Sequence, residues 1–505
     1  MKVNWKIKMG IILSFILTFF LTSIDYSVDA EAEEDEKVYK LAIGQNYMPF
    51  NFQGDDGNLT GIDVEIFKAI AEDQGFKYEV QSYQLSGLLQ ALESGQADAG
   101  LAALSVTDER KGSMDFSDPY YESGSTFAVP SDSSVESLDD LEGKTVAVKI
   151  GSTGAQVAES LKDEYGYEIN PFDESANMYE DVAAGHSQAL IEDNAVISYA
   201  INTGVHDLKL VGDEQAVASL ALAVSKGQNQ EFLQMFNEGL ENIKASGTYD
   251  QIIEYFLGEE GLKKASIDEG FFAQLMNYAP DLLSGLWNTI KLALVSIAIA
   301  FVLGILLGFM RIFPNNFLNN ISGFYVDLMR GIPMMVLAFF IYFGIPQITG
   351  IQMSAPVAGI LTLSLNATAY IGEIIRGGIV AVEDGQMEAG RSLGLSYGHT
   401  MFYVIFPQAM KITIPSLINQ FIITLKDTSI LSVIGLVELT QTARMIISRT
   451  YESGVMWLII ALMYFVLIKS LTRLSQYIER KLDHEKSSVE ESEESIRVPR
   501  SLEIN

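Results

Sequence analysis

Residues 259–310 read EEGLKKASIDEGFFAQLMNYAPDLLSGLWNTIKLALVSIAIAFVLGILLGFM, and the change of solvent inside this stretch decides the fold. Its first part is charged and without apolar period, the composition of a solvated connection. From about residue 286 to 310 it is an apolar run long enough to cross a bilayer. Working outward, residues 38–260 form a charge-rich soluble half. Residues 282–478 are long apolar runs broken by short polar loops. The linker, 261–281, is short, so whatever the soluble half does is delivered within a few nanometres of a membrane pore. The chain therefore reads as an α/β domain followed by an all-α transmembrane domain of about five helices, a capture domain tied to its own conduit.

Composition removes several classes of function. Lys and Arg number 33 against 65 Asp and Glu, a net charge of −32, which excludes nucleic acid because phosphate binding needs clustered cations. The absence of Cys excludes disulfides, thiolate catalysis and Cys-based metal centres. The four His residues (His186, His206, His399 and His484) are too scattered for a metal site, and none is expected. Gly143-Lys144-Thr145 ends like a phosphate loop, but Leu138 stands where the first glycine is required, and a strand follows rather than a helix. Gly394-Leu395-Ser396-Tyr397-Gly398 matches a nucleophile elbow, yet it lies between membrane segments with no strand before it. No catalytic residue is assigned.

The ends read simply. Lys2, Lys6 and Lys8, the apolar run from Met9 to Ile24 and the small-residue site at Ala30 make a signal peptide over 1–30, with cleavage after Ala30; an uncleaved anchor is the alternative. Residues 31–37 are an acidic tether. Residues 483–505, rich in Glu and Ser, are expected to form a disordered cytoplasmic tail.

Within 38–260, short β-rich runs alternate with helical stretches: Lys40–Gly44 then Ile62–Gly75, Tyr78–Tyr83 then Gly87–Ser94, and again from Thr145 to Glu192. Alternation of this kind predicts βαβ units and parallel sheets. The segments Ser125–Pro130 and Ala218–Ser225 separate two such sets. They are expected to cross between two lobes, one of 38–125 with 220–258 and one of 130–215, leaving a hinged cleft.

The motifs NYMPFNF (46–52), GNLTGIDVEIFKAIA (57–71), ADAGLAALSVTDER (97–110), MDFSDPYY (114–121) and GKTVAVKIGSTG (143–154) resemble the polar amino-acid binding proteins of ABC importers. The resemblance implies a bilobed periplasmic-binding-protein-like fold and a free amino acid as ligand. It implies that Arg110 clamps the α-carboxylate, where a planar guanidinium makes paired bonds that a Lys cannot. Ser105, Thr153 and the main chain at Ala103 and Gly154 complete that site, Asp193 takes the α-ammonium, and Tyr47 stacks over the ligand. Lys149 falls where some glutamine binders use a lysine. Three positions depart from the pattern: Leu85 replaces a second stacking aromatic, Gly44 replaces an acid that reads the ligand side chain, and Glu192 precedes Asp193 where a glutamine-binding relative carries His. Loss of that acid disfavours a cationic ligand, and glutamine is the first expectation. Structural readings exist for the same residues: Arg110 as a bridging group, Asp193 as a helix N-cap, Tyr47 as core packing. Thr107 and Asp108 are expected to cap the short helix at Glu109.

The membrane half has apolar segments at about 286–310, 331–346, 355–375, 412–436 and 455–472, the second and third interrupted by Pro333 and Pro356. An outside start puts the C-terminus inside with Lys469, Arg473, Arg480 and Lys481, in line with the positive-inside tendency; Arg444 and Arg449 run against it. Residues 385–409, GQMEAGRSLGLSYGHTMFYVIFPQA, resemble the EAA loop of ABC importer permeases. There Glu388, Ala389, Arg391 and Gly394 would couple to an ATPase, with Glu388 and Arg391 one turn apart and Gly394 ending the helix. Lys426 and Asp427 lie in an otherwise apolar stretch, where ionisable groups are costly; pairing with each other is favoured over lining the route.

No nucleotide-binding motif is present, so the resemblance implies a cytoplasmic ABC ATPase subunit that carries the ATP and magnesium, with no cofactor on this chain. One set of about five spans implies a homodimer through the permease domain, in the cytoplasmic membrane, with the binding domain outside. A ligand-gated channel would need a filter loop and spans inserted between the lobes. A membrane sensor would need a relay domain after the last span.

Overall fold

A computed structural model describes residues 37–44, 47–54, 58–204, 206–258, 271–450 and 453–496. The expected signal peptide, the tether up to Glu36 and the last nine residues of the tail lie outside the described residues.

The soluble half contains strands β1 (Val38–Gly44), β2 (Phe52–Gln53), β3 (Leu59–Thr60), β4 (Lys77–Tyr83), β5 (Ala99–Leu101), β6 (Met114–Phe116), β7 (Tyr121–Pro130), β8 (Thr145–Lys149), β9 (Glu168–Phe172), β10 (Ala189–Asp193), β11 (Leu208–Leu220) and β12 (Ala223–Ser225). They form two five-stranded sheets, in the orders β4-β1-β5-β12-β6 and β11-β7-β10-β8-β9, and a small β2-β3 pair. In the first lobe β1 runs parallel to β4 and β5. In the second, β8 runs parallel to β9 and β10, while β7 is antiparallel to β10.

The side-chain period of two explains why the second sheet is buried on both faces. Phe127 and Val129 of β7 join Val146, Val148 and Ile191 on one face. Ala128 turns to the other, with Ala147, Leu190 and Met178. Each such fully buried large apolar side chain contributes about 1.5–3 kcal/mol. In the first lobe helix Ile62–Gln74 buries Ile62, Ile66, Phe67 and Ile70, the spacing of one helical face. It stops where Gly75 takes a left-handed conformation, φ +71°.

The first crossing lies earlier than expected. Ser125–Pro130 is not a hinge but the body of β7, with Ser125 opposite Asp193 and Ala128 opposite Leu190. The chain passes between sheets just before Tyr121 and returns between Leu220 and Ala223. Five successive residues of apolar or β-branched type from Thr126 to Pro130 suit a central strand better than a solvated crossing.

In the membrane half four helices are long and apolar enough to span: 278–312, 355–380, 397–434 and 454–480. A fifth span exists if the bent pair Asn316–Gly331 and Met334–Thr349 counts as one. That pair corrects the expected span at 331–346. The axes turn by 105° because Ile332 is extended before Pro333 (φ −93°, ψ 126°), as the residue before proline prefers. Pro356, expected to interrupt, sits in the first turn of Ala355–Val380, where a missing N–H costs nothing.

Three other expectations shift. Helix Phe271–Ile312 already includes the second half of the expected linker. The fourth span is an α-helix, Phe406–Asp427, continued by a tighter helix, Thr428–Ile434. Helix Ser453–Ile496 runs through most of the segment expected to be disordered; its Glu-rich end propagates a helix already nucleated in the span.

Candidate binding cleft and coupling segment

The cleft forms at the carboxyl ends of parallel strands, the usual place for ligands in open α/β sheets. Tyr47 follows β1, Lys149 ends β8 and Asp193 ends β10. Tyr47 comes from the first lobe and the other two from the second.

Asp193 occupies the N-cap position of helix Asn194–Asn202, but its side chain makes no capping bond. It receives instead the Tyr47 hydroxyl at 2.5 Å, with Glu192 Oε1 2.8 Å from the same hydroxyl. Burial, reinforced by the Glu192 charge, pushes the Asp193 carboxyl above the usual carboxylate range. Burial also drives the Tyr47 phenol well up, so the proton stays on Tyr47. Lys149 is buried with its ammonium 4.0 Å from the centre of the Tyr47 ring. Burial lowers its pKa, opposed by Glu192, Asp193 and Glu174.

Arg110 stands in the one-turn helix Asp108–Lys111, which Thr107 caps by accepting from Arg110 N. Asp108 is the first helical residue rather than a cap. Its side chain is fully exposed. The Arg110 guanidinium is buried and donates to the Ser105 carbonyl at 2.8 Å and, across the cleft, to the Gly151 carbonyl at 2.9 Å. Burial lowers its pKa, with Asp193 opposing; a guanidinium remains charged regardless. Gly151 opens the turn into helix Thr153–Tyr165, whose N-cap Ser152 accepts from Ala155 N. Thr153 Oγ1 is buried with no hydrogen-bond partner among the described residues. Gly154 lets the helix approach β10, since a Cβ there would lie 3.2 Å from the Ile191 carbonyl.

Ala103 is held at φ +46°, and its N–H donates to Asp63 Oδ2 at 2.7 Å. Asp63 also accepts from Asn51 Nδ2 and the Tyr120 hydroxyl. Burial lifts its pKa to about 6 against the pull of those three donors. Asp63 thus pins the loop that carries the expected carboxylate site.

The same cleft is lined by Gly44, Asn51, Gln84, Leu85, Glu174 and Ser175. A Cβ at Gly44 would meet Asn51 Oδ1 at 2.8 Å and Ala102 Cβ at 2.9 Å, so this packing has no room for an acid there. Asn51 is fully buried and its Oδ1 is unpartnered among the described residues. Asn51, Asp63, Gln84 and Glu174 were not singled out by the sequence; Asn51 and Asp63 sit within quoted motifs, but nothing local marks Glu174.

The coupling segment is built differently. Helix Asp384–Ser392 packs by Gly390, where a Cβ would fall 2.5 Å from Thr400 Cγ2, and by Met387 beside Met401, Ile405 and Phe406. Glu388, Ala389 and Arg391 are exposed, and Leu393 is 83% exposed. Gly394 at φ +83° ends the helix, with Gly394 N on the Arg391 carbonyl and Leu395 N on the Gly390 carbonyl. No ion pair joins Glu388 to Arg391 among the described residues; the guanidinium donates to the Leu395 carbonyl.

Lys426 and Asp427 do not pair. Lys426 is exposed and Asp427 half-buried at the end of helix Phe406–Asp427, with no ion pair between them among the described residues. Neighbouring helical residues point about 100° apart and cannot face each other.

Residues 39–259 match the family of bacterial extracellular solute-binding proteins, family 3. Residues 300–484 match the binding-protein-dependent transport system inner membrane component family. The chain is 37% identical over 211 residues to the arginine transport system permease protein ArtQ of Bacillus subtilis (strain 168), covering 42% of this chain and 96% of that one. It is 34% identical over 204 residues to the glutamine transport system permease protein GlnP of Escherichia coli (strain K12), covering 40% of this chain and 93% of that one. Among solved structures, an ancestral arginine-binding protein bound to arginine shares 35% identity over 44% of this chain and 98% of its own, at a TM-score of 0.41. With permease relatives matched over nearly their whole length and a solute-binding domain ahead of the membrane helices, the chain belongs to the amino-acid ABC importer permeases, in a form that carries its own substrate-binding domain.

Proposed function

We propose that this chain captures an extracellular polar amino acid, glutamine foremost, and passes it through its own membrane half as the binding and permease subunit of an ATP-driven importer. The observation that carries the reading is that Arg110 and Asp193, from opposite lobes, lie near enough for the Asp193 charge to act on the Arg110 guanidinium, while Asp193 holds the Tyr47 hydroxyl and Arg110 bonds across the cleft to the Gly151 carbonyl. A fixed cation and a fixed anion facing one cleft are what a zwitterion requires, and a ligand touching both lobes favours their closure. In this reading Arg110, Thr153, Ser105 and the amides at Ala103 and Gly154 take the carboxylate, and Asp193 takes the ammonium. Tyr47 and Leu85 flank the side chain. The buried Lys149 and the filled space at Gly44 argue for a neutral ligand side chain.

The binding domain lies outside and the C-terminus inside. The exposed Glu388, Ala389 and Arg391, with Gly394 ending their helix, meet a separate ATPase that holds ATP and magnesium. Two copies of the chain pair through their permease halves. Tethering keeps each capture domain at about millimolar effective concentration over the pore.

The test is uptake into lipid vesicles containing the chain and its ATPase subunit. ATP-dependent accumulation of glutamine, little reduced by tenfold excess arginine, is expected. Equal competition by arginine would overturn the side-chain assignment, and no uptake of any amino acid would sink the importer reading.

A further inference from the structure

The two lobes sit on the membrane half in unequal ways. The first lobe shares a continuous apolar cluster with it: Tyr83, Leu88 and Leu92 pack with Tyr342, Leu431 and Ile434. The Tyr83 and Tyr342 hydroxyls are 2.6 Å apart, and Gln96 donates to the Tyr342 carbonyl at 2.8 Å. Lys40 donates to Gln352, which in turn donates to the Gly95 carbonyl. Approach is so close that a Cβ at Gly435 would lie 2.7 Å from the Ser82 carbonyl. Among the described residues, the second lobe contributes only Ala176 to a cluster with Leu439, Ala443 and Ile446, and the ion pair of Arg444 with Glu174 at 3.3 Å.

The oxygen of that pair has a second donor. Gln84 Nε2 reaches the same Glu174 Oε1 at 2.8 Å. Gln84 directly follows Tyr83 and occupies the N-cap position of helix Leu85–Glu93 of the first lobe, without a capping bond from its side chain, so it is fixed to the membrane half. Glu174 precedes helix Ser175–Ala183 and travels with the second lobe. Both Gln84 and Glu174 line the cleft. One carboxylate therefore touches the opposite lobe and the permease at once, and it can do so only when the lobes are together.

We infer that the first lobe is a standing anchor on the permease and that Arg444 reads closure of the second lobe through Glu174. Opening removes Glu174 from Gln84 and Arg444 in one movement, leaving the Arg444 guanidinium without that partner. Ligand-driven closure restores both contacts together, which couples the cleft to helix Leu439–Thr450 by differential contact in the two states. The inference rests on reading the cleft as the amino-acid site.

Because the chain has no Cys, paired cysteines can report each seat in the full chain in lipid nanodiscs. Gly87→Cys with Val433→Cys reports the first lobe, a Cβ at Gly87 lying 3.6 Å from the Val433 carbonyl. Ala176→Cys with Ala443→Cys reports the second. Glu174→Gln or Arg444→Gln is expected to slow disulfide formation at the second seat at least fivefold and leave the first unchanged, which also shows the variants are folded. The charge exchange Glu174→Arg with Arg444→Glu is expected to recover the second seat. Glutamine or arginine, whichever binds the same preparation by calorimetry, is expected to speed only the second. An unchanged second seat in the single variants, or equal change at both seats, overturns the inference, as does bound ligand without effect. If neither amino acid binds, the capture reading fails, and the charge exchange still decides the latch.

Discussion

The cleft and the coupling segment are opposite solutions to placing polar groups. In the cleft, Tyr47, Arg110 and Asp193 come from positions up to 146 residues apart and are buried; Tyr47 holds Asp193, and Arg110 holds the Ser105 and Gly151 carbonyls. In helix Asp384–Ser392, Glu388, Ala389 and Arg391 are near neighbours in sequence and face outward. A convergent site stores its partners within the chain and exchanges them for a ligand. A contiguous exposed site waits for a partner from another molecule. Loss of one residue should therefore be severe in the first and graded in the second.

The sharpest way to break this contrast is Arg110→Ala. Removing charge-assisted bonds to a carboxylate should weaken glutamine binding by about 3 kcal/mol, roughly a hundredfold or more in Kd by calorimetry. A change under fivefold would mean that Arg110 only bridges the Ser105 and Gly151 carbonyls.

Asp63 tests whether the cleft wall depends on a buried charge. Its carboxyl holds a proton more tightly when folded, at about 6 rather than 3.8. The resulting stabilisation is complete below the ordinary carboxylate pKa and is lost as pH rises through about 6. Between pH 4 and pH 6.5 the wild type should lose about 2 kcal/mol relative to Asp63→Asn, read from urea midpoints of the soluble half. Parallel pH profiles would show that the three hydrogen bonds outweigh burial.

The smallest effect belongs to the coupling segment. Gly394→Ala at φ +83° should cost about 1 kcal/mol in the helix terminator. That corresponds to about fivefold weaker association with the ATPase subunit by surface plasmon resonance, with amino-acid affinity unchanged. Equal loss of both would erase the distinction between the two sites.

What the sequence revealed follows the same line. Contiguous signals were readable: the charged-to-apolar change at 259–310, the TDER string around Arg110, and the glycine that ends the coupling helix. Glu174 was not, because its two donors lie 90 and 270 residues away and nothing local distinguishes it from other surface acids. The strand Ser125–Pro130 reads as a crossing in sequence because its neighbours in the sheet are remote along the chain. The helix Asn316–Gly331 does not read as half of a span, because its asparagines and Asp327 break the apolar run although Phe317, Ile321, Phe324 and Leu328 share one face. Lys426 and Asp427 are adjacent in sequence, but the helical angle turns them about 100° apart.

The tight fit of Gly44 against Asn51 has a consequence for descent. A lineage drifting toward basic cargo could not simply place an acid at position 44, because the amide at 51 already fills that volume. The neighbour would have to shrink or turn first, and the intermediate would recognise neither cargo well. Such a two-step barrier keeps a transporter faithful to its nutrient over many generations.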